Sequence, residues 1–282
     1  MTKARATIWV LRLAAAIVTV GSLYFFAPWR AAVSYLRPLP ANVQGEVDQV
    51  LDYGLDGIIV YVDRAGHEPE FHAAGWHDRE AQIPANPHAL FKIASISKLY
   101  IAAATAMLVA DGALDLDATV ADFFPELVGK VANAERITLR MLLQHRSGIP
   151  NWVEDPDRWA ITSGEVNDYL ALVFDDPAEF EPDLERIPGG YDPGWPEENF
   201  RPRVHHVPGG SMVATAEDTG IFLRALNEGT LLTGEAQAIY SGVYEYGHTG
   251  LLAGYSSIAR YHADIDAVVI QFVNTSGGNT WT

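Results

Sequence analysis

The period of the apolar positions changes several times along this chain, and each change marks an element. Residues 13–29, LAAAIVTVGSLYFFAPW, carry no charge and follow Lys3, Arg5 and Arg12. An uncharged run of about 17 residues is near the lower limit for crossing a bilayer, and basic residues ahead of it favour an inside N-terminus. The run closes on Tyr24, Phe25, Phe26 and Trp29, bulky residues suited to an interfacial belt and unlike a small-x-small cleavage site. The expectation is an uncleaved membrane anchor that holds the remainder outside the cytoplasm. A cleaved signal with secretion, and a buried N-terminal helix, are the alternatives.

A Pro-containing spacer, LRPLPAN (36–42), separates this segment from the rest, so the chain divides into residues 1–42 and a globular domain over 43–282. VQGEVDQVLDYG (43–54) reads as a short amphipathic helix stopped by Gly54. LDGIIVYVDRAG and EPEFHAAGWHDRE are β-rich runs with a turn at Gly66, the pattern of an antiparallel hairpin. Helical patterns dominate from Ser95 to about residue 175, including DATVADFFPEL, TLRMLLQH and SGEVNDYLALVF, each opened by a capping Asp, Thr or Ser. Residues 180–210 are rich in Pro, Gly and aromatics and read as loop. TAEDTGIFLRALNEG is one more helix, and the stretch from Tyr246 to Gly278 reads as two strands turning at HADID. Strands, then helices, then strands imply an α+β fold, in which terminal strands share one antiparallel sheet flanked by helices and a helical lobe is inserted between them.

Composition narrows the function classes. With 282 residues, about half of them apolar, the chain can bury a large core, and its formal charge of −17 excludes nucleic-acid phosphates as the natural partner. There is no cysteine, hence no disulfide and no thiolate metal site. His67, His72 and His77, and the pair His205 and His206, lack helical i, i+4 spacing beside an acidic ligand, so neither a metal nor another cofactor is expected.

The chemistry concentrates in FKIASISKLYIAAATAMLVADG, residues 91–112. In a helix starting near Ser95, positions three apart share a face, so Ser95 lies beside Lys98 while Ser97 points elsewhere. A serine hydroxyl needs a base within reach to act as a nucleophile, and a lysine serves only when an apolar setting lowers its pKa. No charged residue follows Lys98 until Asp111. The start of the helix adds unpaired backbone N–H groups able to face a developing oxyanion. A capping serine followed by a snorkelling lysine has the same spacing, so this stretch alone leaves both readings open.

Four stretches in order decide between them: FKIASISKLYIAAA, ITLRMLLQHRSGIP (137–150), GGSMVATAEDTGIFLRAL (209–226) and YGHTGLLAGYSSIARY (246–261). In this order they resemble the serine β-lactamase-related family of class C β-lactamases, D-alanyl-D-alanine carboxypeptidases and esterase-like serine hydrolases. The resemblance implies a β-lactamase/transpeptidase-like fold with an all-helical lobe. It implies Ser95 as the acylated nucleophile and Lys98 as its proton acceptor. It also implies His248, Thr249 and Gly250 as the strand triplet facing substrate, and the backbone N–H of Leu251 as an oxyanion donor beside that of Ser95. A histidine in the triplet is a weaker fixed cation than the lysine of β-lactamases, which points away from β-lactam specialisation. His145 matches a family histidine that holds a turn, and Tyr191, Trp195 and Phe200 belong to a loop that could wall the cleft.

One family motif is missing. No Tyr-x-Asn and no Ser-x-Asn occurs anywhere in the chain. A segment carrying that motif and a following helix is absent after Phe180 and Pro182, which shortens the helical lobe; Tyr191 is a candidate replacement. The expectation is therefore a serine hydrolase acting on an ester or amide, with a small-molecule or peptide-like substrate, through an acyl-Ser95 intermediate. The alternative is a catalytically impaired homologue that binds a ligand or partner.

Overall fold

The computed structural model describes residues 3–26, 29, 37–151, 170–178, 182, 210, 212–252 and 254–274. The chain divides into two compact units, Met1–Asn42 and Val43–Thr282. The first contains helix α1, Lys3–Phe26, whose apolar side chains from Leu13 to Phe25 are largely exposed. The membrane-spanning anchor expected over residues 13–29 is not supported, because among the described residues no helix is long and apolar enough to cross a membrane. Arg12 lies inside α1, and the uncharged stretch 13–26 measures about 21 Å against a hydrocarbon core of about 30 Å.

In the second unit six antiparallel strands form one sheet in the order β3-β2-β1-β8-β7-β6. They are β1 (Gly57–Arg64), β2 (Glu70–Asp78), β3 (Ile83–Pro84), β6 (His248–Leu252), β7 (Tyr255–His262) and β8 (Ala267–Val273). The β1–β2 hairpin turns where the sequence places Gly66, and β1 pairs along its length with β8, Ile59 opposite Phe272 and Tyr61 opposite Ile270. The first and last strands of the domain are thus neighbours, as the order of patterns implies. Two strands were expected after residue 246 and three are present, because the chain reverses a second time between Leu252 and Tyr255. A two-residue connection leaves too little composition to register as a turn beside the longer HADID signal.

Burial of Ile58, Ile59, Val60 and Tyr61 in succession shows that the central strands are covered on both faces. On one face Ile58, Val60 and Ala74 pack with Val47 of α2 (Val43–Gln49), a helix that tightens into a 3-10 turn over Val50–Tyr53 and ends on Gly54. On the other, Ile59, Tyr61, Val268, Ile270 and Phe272 meet Phe91, Ile93, Ile96, Leu99 and Leu223. These come from β4 (Phe91–Lys92), the turn over residues 93–96 that follows it, α3 (Ser97–Ala110) and α6 (Ala216–Asn227). Arg224 of α6 is bonded to Asp63 on β1 and, at 3.1 Å, to Asp266 in the β7–β8 turn, which fixes α6 across the sheet.

The helix expected from Asp117 begins only after Thr119, and threonines cap the short helices. Thr119 and Asp122 form a reciprocal capping box on α4 (Val120–Phe123), and Thr138 caps α5 (Leu139–Leu143). Thr215, next to β5 (Val213–Ala214), caps α6. Helix α7 (Gly234–Val243), capped by Thr233, has no counterpart in the sequence reading, although Ala236 and Tyr240 bury against Ala102, Ala103 and Ala106 of α3. The small residues of α3 allow that close approach, and the approach supplies the stability that the Gly- and Ser-containing α7 lacks on its own. Residues 163–169 of the helix expected over 163–174, and nearly all of the loop expected over 180–210, lie outside the described residues.

Candidate active site

The site begins where β4 ends. Strand β4 pairs with β5, and Ile93 N–H donates to the Met212 carbonyl at 3.1 Å. The chain then turns sharply at Ala94, buried and left-handed at φ +50°, a conformation that costs an alanine about 1–2 kcal/mol. A 3-10 turn over Ala94–Ile96 follows and leads into α3. The helix expected from Ser95 therefore starts as 3-10. Positions i and i+3 eclipse in that geometry, and the Ser95–Lys98 pairing survives.

The two serines divide the work. Ser97 is fully buried; its hydroxyl donates to the Ala94 carbonyl at 2.6 Å and accepts from Met212 N–H at 3.3 Å, pinning the turn. Ser95 is half-buried and accepts from Lys98 Nζ at 2.7 Å. Burial lowers the Lys98 ammonium to about 8 from its ordinary 10.5. An amine in that range exchanges protons near neutral pH while touching a hydroxyl.

Strand β6 is one edge of the sheet among the described residues and lies against this turn. Gly250 makes the approach possible. A Cβ there would stand 2.3 Å from Ser257 Oγ, 2.4 Å from the Ile93 carbonyl oxygen and 2.9 Å from Ala94 Cβ. Ser257, opposite Gly250 on β7, donates to that same carbonyl at 2.9 Å, so β7 also holds the turn. Thr249 and Leu251 flank Gly250 in the strand, opposite Ile258 and Ser256.

His248 starts the strand with its side chain 16 % exposed. Its Nδ1 contacts the Thr249 carbonyl, which only accepts; Nδ1 therefore carries the proton, and Nε2 keeps a lone pair in the neutral ring. Burial holds His248 below the ordinary histidine pKa, and the Lys98 charge adds to the effect. His145 behaves alike: burial first, then Lys98 and His248, push it down. Three basic groups thus share one site, and the Lys98 charge disfavours protonation of both imidazoles.

Ser95, Lys98, His248, Thr249, Gly250 and Leu251 all come from the two segments that this turn and β6 bring into contact. His145, read from the sequence as a turn residue, does occupy a left-handed turn (φ +57°) after α5, yet it also neighbours Lys98. Tyr244, at the end of α7, was not singled out at all; its hydroxyl lies 3.5 Å from His145 Nε2 and its ring faces His248. No local pattern marks it, because its partners lie on other elements. Tyr191, Trp195, Phe200, His205 and His206 lie outside the described residues. His72 contacts Gln44 Oε1 and Glu70 Oε2 at 3.1 and 3.0 Å, and among the described residues no group of three or more histidine or acidic side chains is placed to hold a metal.

Comparison with known proteins bears on the family and the fold. The family model described as Beta-lactamase matches residues 39–194. Esterase EstB of Burkholderia gladioli is 32% identical over 158 residues, covering 51% of this chain and 40% of the esterase. The human mitochondrial serine beta-lactamase-like protein LACTB is 35% identical over 126 residues, 44% of this chain and 22% of LACTB. The chain thus matches less than half the length of either relative. Among solved structures, the D-amino acid amidase of Ochrobactrum anthropi SV3 superposes with a TM-score of 0.67 at 20% identity, over 85% of this chain and 92% of the amidase. A penicillin binding protein from Bacillus halodurans gives 0.64 at 19% identity, over 85% and 97%. These likenesses establish the β-lactamase/transpeptidase-like fold.

Proposed function

Because the chain belongs to the β-lactamase family, its fold and its Ser95–Lys98 pair being those described above, we propose that it is a serine hydrolase acting on esters or amides through an acyl-Ser95 intermediate. The observation that carries this reading is the 2.7 Å bond between Ser95 Oγ and an amine lowered to about 8. In the proposed reaction Ser95 Oγ attacks the substrate carbonyl carbon as its proton passes to neutral Lys98. The backbone N–H groups of Ser95 and Leu251 stabilise the oxyanion that forms. Collapse breaks the bond to the leaving alcohol or amine, which takes the proton back from Lys98. Water then adds to the acyl carbon, giving its proton to Lys98, and the ester bond to Ser95 breaks as that proton returns to Oγ.

The neutral His248 offers no fixed cation at the edge strand, so uncharged acyl groups suit the site better than carboxylate-bearing ones. That, together with the esterase and amidase among the relatives, supports an ester or amide substrate class over β-lactams. A fluorophosphonate probe should label the parent protein at Ser95, located by peptide mass, and leave Ser95→Ala unlabelled. Equal labelling of both proteins overturns the proposal.

The base must be neutral to accept the proton, so kcat/KM for a p-nitrophenyl ester is expected to rise about tenfold per pH unit below about 8 and to level off above it. A profile flat from pH 6 to 9 removes Lys98 from the role. A second reading, binding without turnover, is favoured by the absence of Tyr-x-Asn from the chain. Intact mass after mixing with the ester distinguishes the two: a persistent acyl adduct with no released acid supports the second.

A further inference from the structure

Tyr244 touches two site elements that are far apart in sequence. Its hydroxyl is 3.5 Å from Nε2 of His145, in the turn after α5, with 5.9 Å between ring centroids. Its ring lies nearly parallel to the His248 imidazole, 10° between planes and 6.1 Å between centroids. The segment is also anchored from behind. Tyr240 faces Tyr244 at 6.3 Å and donates its hydroxyl to the Glu245 carbonyl at 2.6 Å, while Gln144 reaches across to the Gly242 carbonyl at 3.0 Å. The proposed acyl transfer uses neither Tyr244 nor His145, although both histidines of the cluster neighbour Lys98.

We propose that Tyr244 is a positioning residue for the Ser95–Lys98 pair: with its ring against His248 and its hydroxyl on His145, it fixes the two imidazoles that neighbour Lys98 and locks the turn after α5 to edge strand β6. The titratable groups around it are His145, His248, Tyr240 and the adjoining Glu245, and Lys98 faces both imidazoles from α3. Tyr244 stays protonated, since burial and Glu245 push the phenol up, and its O–H is thus a constant partner for His145 across the working pH range. If the histidines wander, the turn after α5 and edge strand β6 lose their shared anchor, and β6 is the strand packed against the turn that carries Ser95.

The proposal rests on the hydrolase reading for its kinetic consequence but not for its structural one, so both are measured. Tyr244→Phe keeps the ring and removes the hydroxyl; Tyr244→Leu removes both. Histidine side-chain NMR titration of the parent should show His145 and His248 with midpoints below the ordinary value. Tyr244→Phe is expected to move the His145 midpoint and leave that of His248 in place, whereas Tyr244→Leu moves both. The loss of one hydrogen bond, about 1 kcal/mol, should lower the Ser95 acylation rate about fivefold in Tyr244→Phe with KM unchanged. Should Tyr244→Leu not fold, Tyr244→Phe decides alone. A Tyr244→Phe protein whose His145 midpoint matches the parent's overturns the proposal, as does one that acylates within twofold of the parent. If the parent itself is never acylated, the hydrolase reading falls, and the NMR midpoints still decide the positioning role.

Discussion

Lys98→Met is expected to lose acylation of Ser95 and, at pH 7, to fold more stably than the parent. The two effects have one cause. Burial lowers the Lys98 ammonium from 10.5 to about 8, so the folded protein carries a cost of about 3 kcal/mol wherever both folded and unfolded lysines are charged. Methionine fills a similar volume with no charge. It also removes the donor to Ser95 Oγ, which costs about 1 kcal/mol, leaving a net gain of about 2 kcal/mol at neutral pH.

The pH dependence gives the sign. Below pH 8 both states hold the proton and the cost is constant. Between about 8 and 10.5 the unfolded chain holds the proton and the folded one has released it, so the stability of the parent rises with pH relative to the variant. Above 10.5 the charge cost is gone, and with it the advantage of methionine. Urea unfolding of both proteins at pH 7 and near pH 10 measures this directly. A variant less stable than the parent at pH 7 refutes the desolvation account. Acylation should fall about 10²- to 10⁴-fold, the usual worth of a general base.

Gly250→Ala is the second large effect, and here stability and activity fall together. The new methyl meets three neighbours, of which only the Ser257 hydroxyl can rotate. The Ile93 carbonyl is backbone held by Ser257, and Ala94 is already in a left-handed turn. Either β6 moves away from the turn or the turn moves away from β6, at about 1–3 kcal/mol. Both displacements separate Leu251 from Ser95, and a misplacement near 1 Å is worth about 10²-fold in rate. Gly242→Ala is the control: an added methyl there meets nothing within 4 Å, so parental activity is expected. Equal melting temperatures and labelling rates for Gly250→Ala and the parent contradict the close approach of β6.

Much of the scaffold was legible because its signals are local. Thr138 and Thr215 stand directly before the helices they cap, and the β-rich runs through residues 57–64 and 70–78 mark a hairpin whose turn chemistry sits between them. The Ser95–Lys98 relation was legible for the same reason, since three residues of helical or 3-10 chain bring the two side chains together whatever surrounds them. Helix α7 escaped notice because its stability comes from contact with the alanines of α3, and the β6–β7 reversal because two residues carry little composition.

The sequence by itself determined the strands-helices-strands arrangement, the family, and which serine faces Lys98, all properties set by neighbours a few positions apart or by motifs in fixed order. Tertiary structure alone decided why position 250 accepts only glycine, how far burial shifts Lys98, and that Tyr244 meets both His145 and His248. The approach of Gly250 to Ala94 and of Tyr244 to His145 joins segments that lie about a hundred residues or more apart along the chain. Packing density and desolvation act through space, and periodicity along a chain carries no record of them.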